Sequence, residues 1–314
     1  MIEINNLVKK FGKKYALDGV SFSIKKGEIV GFLGPNGAGK STTMNIITGY
    51  ISPTSGSVTV GGVDVFSEPM KVKKMIGFLP EQPPLYIDMT VWEYLCFVYE
   101  LKGCKMNKSA HLSEICELVK ITDVKNRLIK NLSKGYKQRV GIAAAIIGGP
   151  DVLIFDEPTV GLDPKQIIEI RSLLRALSKE RTIILSTHIL SEVQAVCDRI
   201  VVINAGKIIA DEKTAKLSEA LGQSNRFRVK ISGPSREVLN LLKSIHGVTR
   251  VTQDGAREGD AFPYIVEYSG SIDIRKMMFR ALADKGWPIL AMEGVDISLE
   301  DLFVKLIDGE EEKR

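Results

Sequence analysis

Residues Gly34–Thr42 read GPNGAGKST, which satisfies the spacing G-x-x-x-x-G-K-[ST] of a phosphate-binding loop. The run before it, Glu28–Leu33 (EIVGFL), is apolar enough for a buried strand, and Lys40–Thr48 can continue as a helix that stops at Gly49. Strand, loop and helix thus stand in the order such a loop requires. Across Gly34, Pro35, Asn36, Gly37, Ala38 and Gly39 the glycines let the backbone approach a polyphosphate and turn N–H groups inward. The first turn of the helix adds unpaired N–H groups and a positive dipole end. Lys40 is expected to reach the β- and γ-phosphates and Ser41 to hold Mg²⁺, with Thr42 completing the loop.

A chain of 314 residues with 44% hydrophobic content buries a large core, and its length suggests two domains. Lys+Arg 43 against Asp+Glu 38 gives a net charge of +5, spread along the chain without the basic block that marks nucleic-acid binding. The longest apolar runs, Val140–Gly149 and Arg199–Ala210, are too short for a membrane span and are broken by glycine or charge. The segment Met1–Lys14 lacks the apolar centre of a signal peptide. A soluble, cytosolic chain that touches a membrane only through a partner is expected. Cys96, Cys104, Cys116 and Cys197 show no C-x-x-C pairing and read as packed thiols in a reducing compartment.

Before the loop, short strand-like runs alternate with turn residues, and Val58–Val65 adds another, as in an antiparallel β layer. From about 90 to 149 the spacing becomes helical: Val91, Tyr94, Leu95 and Val98 share one face, Leu112, Ile115, Leu118 and Val119 another, and Val140–Ile147 is an apolar helix. Val152–Phe155 and Thr182–Leu185 then flank the amphipathic set Ile167, Ile170, Leu174 and Leu177, a βαβ unit of a parallel sheet. A hairpin over Arg199–Asp211 turns at Asn204-Ala205-Gly206. Beyond Gly222 the order strand, helix, strand, strand, helix, strand, with a terminal helix at Leu299–Ile307, predicts a small ferredoxin-like α+β domain without a chemical motif.

The phosphate loop alone leaves kinases, GTPases, ATPases and transport motors open. Val152–Pro158 (VLIFDEP) narrows this, because it is an apolar strand ending in adjacent carboxylates at the edge where a nucleotide lies. Asp156 is placed to hold Mg²⁺ and Glu157 to polarise an attacking water. Upstream, in Asn131–Val140 (NLSKGYKQRV), Ser133 is a helix N-cap candidate and Gly135 can approach an anion.

With these residues the sequence resembles the nucleotide-binding subunits of ABC transporters. Their signature loop LSGGQ matches Leu132–Tyr136 at three of five positions, and the order of phosphate loop, signature, DEP strand, GLDP and a histidine is shared. The resemblance covers residues 1–222. It implies an α/β fold: a P-loop NTPase with a RecA-like parallel sheet, an antiparallel β layer and a helical subdomain at about 90–149, with an accessory α+β domain over 223–314. It also implies adenine stacking by Phe11, with Tyr15 as the alternative, against the plain reading of either ring as core. Asp163 in GLDP matches the loop that communicates across a dimer, although Asp163, Pro164 and Gln166 equally form the cap of the next helix. His188 matches the switch histidine that contacts the γ-phosphate.

Two departures stand out. Lys134 and Tyr136 replace glycine and glutamine of the signature, leaving Ser133 and the Gly135 N–H as phosphate contacts. In PEQPPLYIDMTV the family's glutamine position falls on Glu81, which can meet Mg²⁺ through water, with Gln82 one residue later as the alternative. The resemblance implies ATP and Mg²⁺ as ligands, a second ATPase subunit closing over two ATP molecules, and a separate multi-span permease, with the chain peripheral on the cytoplasmic face of the membrane. The match of Ser298–Val304 (SLEDLFV) to bacterial ABC-2-type exporters points to export. A competing reading, a soluble ABC-type ATPase acting on ribosomes or nucleic acid, fits less well, because one phosphate loop, one signature and no basic arm are present.

Overall fold

The computed structural model describes residues 1–216, 224–269 and 273–295. Contacts divide the chain after Thr214 into two compact units. The helix expected over Leu299–Ile307, and the SLEDLFV motif, lie outside the described residues.

In the first unit, β1 (Ile2–Phe11) pairs antiparallel with β2 (Lys14–Ile24) and with β4 (Ser55–Val60). A short β5 (Val63–Asp64) completes this four-stranded sheet, in the order β2-β1-β4-β5. The single strand expected over Val58–Val65 is therefore split, because Gly61 and Gly62 both adopt positive φ and turn the chain back. The second sheet holds β3 (Ile29–Leu33), β6 (Ile76–Leu79), β7 (Val152–Asp156), β8 (Thr182–Thr187), β9 (Arg199–Asn204) and β10 (Lys207–Lys213), in the order β10-β9-β3-β8-β7-β6. All pairs are parallel except the hairpin β9–β10.

Every residue of β3, β7 and β8 is buried, as their unbroken apolar runs demand of a sheet covered on both faces. One core joins Leu7, Val20 and Val58 of the antiparallel sheet to Phe32, Ile154 and Val201 of the parallel sheet. Met44 and Ile47 of α1 (Lys40–Ile47) belong to the same core. The helix that follows the phosphate loop is thus anchored by both sheets.

The helical insertion comprises α3 (Val91–Leu101), α4 (Lys108–Leu118) and α5 (Lys134–Ile146). Thr90 and Glu93 form a capping box at the start of α3. Leu118 departs from the expected face: it is 43% exposed, and Cys116 is buried instead. Two further helices, α2 (Pro69–Met75) and α7 (Leu190–Val196), are too short to show a helical period in sequence. Between β7 and β8 runs α6 (Pro164–Ser178), which buries Ile170, Leu174 and Leu177.

The second unit contains β11 (Ser224–Ser232), α8 (Ser235–Ser244), β12 (Val248–Gln253), β13 (Ala261–Ser269), α9 (Arg275–Ala283) and β14 (Ile289–Gly294). Its wholly antiparallel sheet, ordered β12-β13-β11-β14, is that of a ferredoxin-like domain. Val229, Val238, Tyr264 and Met278 lie in its separate core.

Candidate functional site

The carboxyl ends of four adjacent parallel strands converge on one cleft. β3 runs into the phosphate loop, β7 ends at Asp156 and Glu157, β8 leads to His188, and β6 leads to Glu81. The cleft has a volume of about 500 Å³, and its walls include Asn36, Gly37, Gly39, Lys40, Ser41, Thr42, Glu81, Glu157 and His188. The order of the strands, rather than proximity in sequence, brings these residues together.

Lys40 is buried, and its Nζ donates to the carbonyls of Gly34 at 2.9 Å and Pro35 at 3.3 Å. It also stands 3.4 Å from Glu157 Oε1. Ala38 packs beneath the loop, and its N–H donates to the Pro35 carbonyl at 3.2 Å. Gly39 adopts φ +114°, where a Cβ would lie 2.8 Å from the Ala16 carbonyl, so only glycine fits this turn. A polyphosphate entering the cleft meets a cation already desolvated and a loop shaped to surround an anion.

The Glu157 carboxylate lies 3.0 Å from His188 Nδ1 through both oxygens, and its N–H donates to Ser186 O at 2.9 Å. Glu157 is held at φ +50°, a conformation rare for a non-glycine residue. Lys40, Glu157 and His188 therefore form one connected set of charge, carboxylate and imidazole. Asp156 is buried, and among the described residues its Oδ1 has no hydrogen-bond partner. A buried carboxylate oxygen left free on the nucleotide edge, together with the Ser41 hydroxyl in the cleft wall, fits a hard divalent cation such as Mg²⁺.

Glu81 and Gln82 are both exposed; Glu81 lines the cleft and Gln82 is not part of its wall. Phe11 and Tyr15 are 55% and 47% exposed, which removes the core reading for both, and neither lines the cleft. They cap the β1–β2 hairpin, with Lys9 5.1 Å from the Phe11 ring centre and Lys10 4.3 Å from that of Tyr15. Ala16 and Val160, which carry no chemical signature in sequence, complete the wall.

Ser133, Gly135 and Asp163 stand apart from this cleft. Gly135 and Asp163 belong to a second one of about 320 Å³, which also includes Tyr136, Arg139 and Gln166. Ser133 caps α5 by accepting from Tyr136 N–H at 3.4 Å, and Asp163 caps α6 by accepting from Gln166 N–H at 2.9 Å. The Gln166 side chain does not complete a capping box; it lies over Gly135, where a Cβ would come within 2.6 Å of it. Tyr136 donates from its hydroxyl to Asp123 Oδ2 at 2.9 Å, and this bond raises the phenol above its ordinary pKa. All four cysteines are free, and burial pushes the Cys116 and Cys197 thiols up, as expected of packed groups.

A glycine-rich loop at the carboxyl edge of a parallel sheet, with a carboxylate pair on a nearby strand, defines a P-loop nucleoside triphosphatase. The ABC transporter family profile matches residues 17–160. The linearmycin resistance ATP-binding protein of Bacillus subtilis is 38% identical over 80% of this chain and 82% of its own length. The bacitracin transport ATP-binding protein of Bacillus licheniformis is 33% identical over 98% of both chains. Among solved structures, an ATP-binding subunit of an ABC transporter superposes with a TM-score of 0.65 at 29% identity, over 71% of this chain and 93% of its own. A dimeric ATP-binding cassette in a post-hydrolysis state with ADP and Pi gives 0.63 at 30% identity, over 68% and 99%.

The chain belongs to the ABC transporter ATP-binding family: it is an ATPase and the ATP-binding subunit of a transporter.

Proposed function

We propose that this chain is the motor of an exporter, in which two copies close over ATP, hydrolyse it, and drive a separate membrane permease from the cytoplasmic face. The observation that carries the reading is the separation of two half-sites on one unit. Lys40, Glu157 and His188 share the nucleotide cleft, while Gly135 and Asp163 occupy another. A second copy brings its Ser133 and Gly135 to the open side of the first copy's nucleotide. The γ-phosphate then bridges two surfaces, and its loss on hydrolysis releases them.

In this reading Lys40 and His188 stabilise charge on the transferring phosphoryl group, and Glu157 orients the attacking water. Glu157 contacts both Lys40 and His188, so the groups that meet the phosphates and the group that orients the water are already joined. Ser41 and Asp156 would hold Mg²⁺, with Glu81 contributing through water, and the ion would neutralise charge on the β- and γ-phosphates. Phe11, with Tyr15 as the alternative, offers an exposed ring for the adenine base.

No helix among the described residues is long and apolar enough to cross a membrane. The permease therefore docks on the surface. The exposed aromatic pair Tyr86 and Phe97, with ring centres 5.3 Å apart and Phe97 on α3, supports docking beside the Glu81 segment. Relatives named for bacitracin transport and linearmycin resistance support the export reading. They do not favour a ribosome- or nucleic-acid-directed ATPase.

Steady-state hydrolysis by purified protein tests the chemical part. Glu157→Gln is expected to lower kcat by about 10²-fold or more while nucleotide still binds. Unchanged turnover would rule out the assigned role. Affinity purification from solubilised membranes tests the partner: a multi-span protein is expected, and ribosomes in its place would overturn the transport assignment.

A further inference from the structure

Glu192, on α7, is a carboxylate with no part in the chemistry above, yet it is only 2% exposed. Its Oε2 accepts from Thr159 Oγ1 at 2.7 Å and from Thr187 Oγ1 at 3.1 Å. A buried carboxylate is retained at a large desolvation cost unless it is hydrogen-bonded, so these hydroxyls are integral to its placement.

Both threonines adjoin reacting groups. Thr159 lies between Glu157 and Asp163 in sequence, and Thr187 immediately precedes His188. The Ile189 N–H donates to Thr187 Oγ1 at 3.2 Å, which fixes the backbone on the far side of the histidine. Glu157 is joined to the same strand end through Ser186 O and through His188 Nδ1, at 2.9 and 3.0 Å. Glu192 thus closes a ring of contacts running from Glu157 through Thr159, Thr187 and His188 back to Glu157. The unfavourable φ of +50° at Glu157 persists because its surroundings over-determine it, and this ring is part of those surroundings.

We propose that Glu192 is a positioning residue that couples the Asp163 segment to His188. When a second copy docks and shifts the Asp163 segment, the bridge Thr159–Glu192–Thr187 carries that shift to the histidine and, through its Nδ1 contact, to Glu157. The reacting groups are then aligned only in the closed dimer. The inference rests on the dimer reading given above, and it adds the internal connection by which closure reaches the chemistry.

The substitution Thr159→Val deletes one hydroxyl at nearly constant volume, outside the nucleotide cleft wall. In the full chain it is expected to lower kcat about tenfold with KM for ATP changed less than about twofold. Thr159→Ser, which keeps the hydroxyl, is expected to stay within about twofold of the parent kcat. In a His188→Ala background Thr159→Val should cost nothing further, since the bridge acts through the histidine.

Unchanged kcat in Thr159→Val, an equal loss in Thr159→Ser, or an additive loss in the His188→Ala background would each overturn the inference. The dimer reading is separated by the dependence of wild-type turnover on protein concentration. Turnover that requires dimers, with Thr159→Val unaffected, defeats the bridge alone; turnover by monomers defeats the parent reading.

Discussion

At the scale of single residues, the proposed function brings binding and hydrolysis together at Lys40, whose buried ammonium is shared by loop carbonyls and the Glu157 carboxylate. Lys40→Ala is expected to lower ATP affinity by about tenfold or more, since a charge-assisted contact in a desolvated cleft is lost; equilibrium binding of a fluorescent ATP analogue checks this. Gly39→Ala is expected to destabilise the protein by about 1–3 kcal/mol, as its Cβ meets Ala16 and Leu17 at an unfavourable φ, and thermal unfolding measures it. These residues were legible because backbone geometry dictates their type: the loop needs glycine and a cation, and little else substitutes. Motif register alone favours Glu81 over Gln82, since an irregular segment leaves no periodicity to read. In the structure Glu81 lines the cleft, which lies beyond the end of β6. Glu192 gave no signal at all, because its significance comes from two threonines on other segments.

At the scale of elements, α5 carries Ser133 and Gly135 at its start, so whatever fixes its far end also fixes the signature face. Lys102 Nζ donates to the carbonyls of Ala144, Ala145 and Ile147 at 2.8 to 2.9 Å, and the Gly148 N–H donates to His111 Nε2 at 3.1 Å. His111 must be neutral to accept this bond, and burial lowers its pKa below the ordinary 6.5. Between the depressed value and 6.5 the unfolded chain binds more protons than the folded one, so stability rises with pH across that window and is lost as pH falls through it. His111→Gln, whose amide oxygen accepts at any pH, is expected to lose less stability than the parent between about pH 7 and about pH 5, measured by urea unfolding. An equal loss in both would show that the imidazole bond contributes nothing. The long helices and all-apolar strands were readable from their spacing. By contrast α2, α7 and the four-residue β6 are shorter than the window over which a period becomes visible, and Leu118 was misplaced because helical spacing marks a face but not what covers it.

At the scale of the whole molecule, the ATPase unit holds both clefts. The resemblance implies that signature and phosphate loop belong to different half-sites, and the linings of the two clefts keep Gly135 and Lys40 apart on the same unit. Tyr86→Ala with Phe97→Ala is expected to reduce the yield of co-purified permease at least about fivefold, because a packed aromatic pair is the kind of anchor that dominates an interface; quantitative immunoprecipitation from membranes checks this. The central claim, that one copy's nucleotide is enclosed by another copy, is tested most directly by sedimentation of Glu157→Gln, in which bound ATP is expected to stay unhydrolysed. With Mg²⁺ and ATP the protein should sediment as a dimer, and with ADP as a monomer. A species that stays monomeric with ATP, or an equal dimer with ADP, would contradict the account.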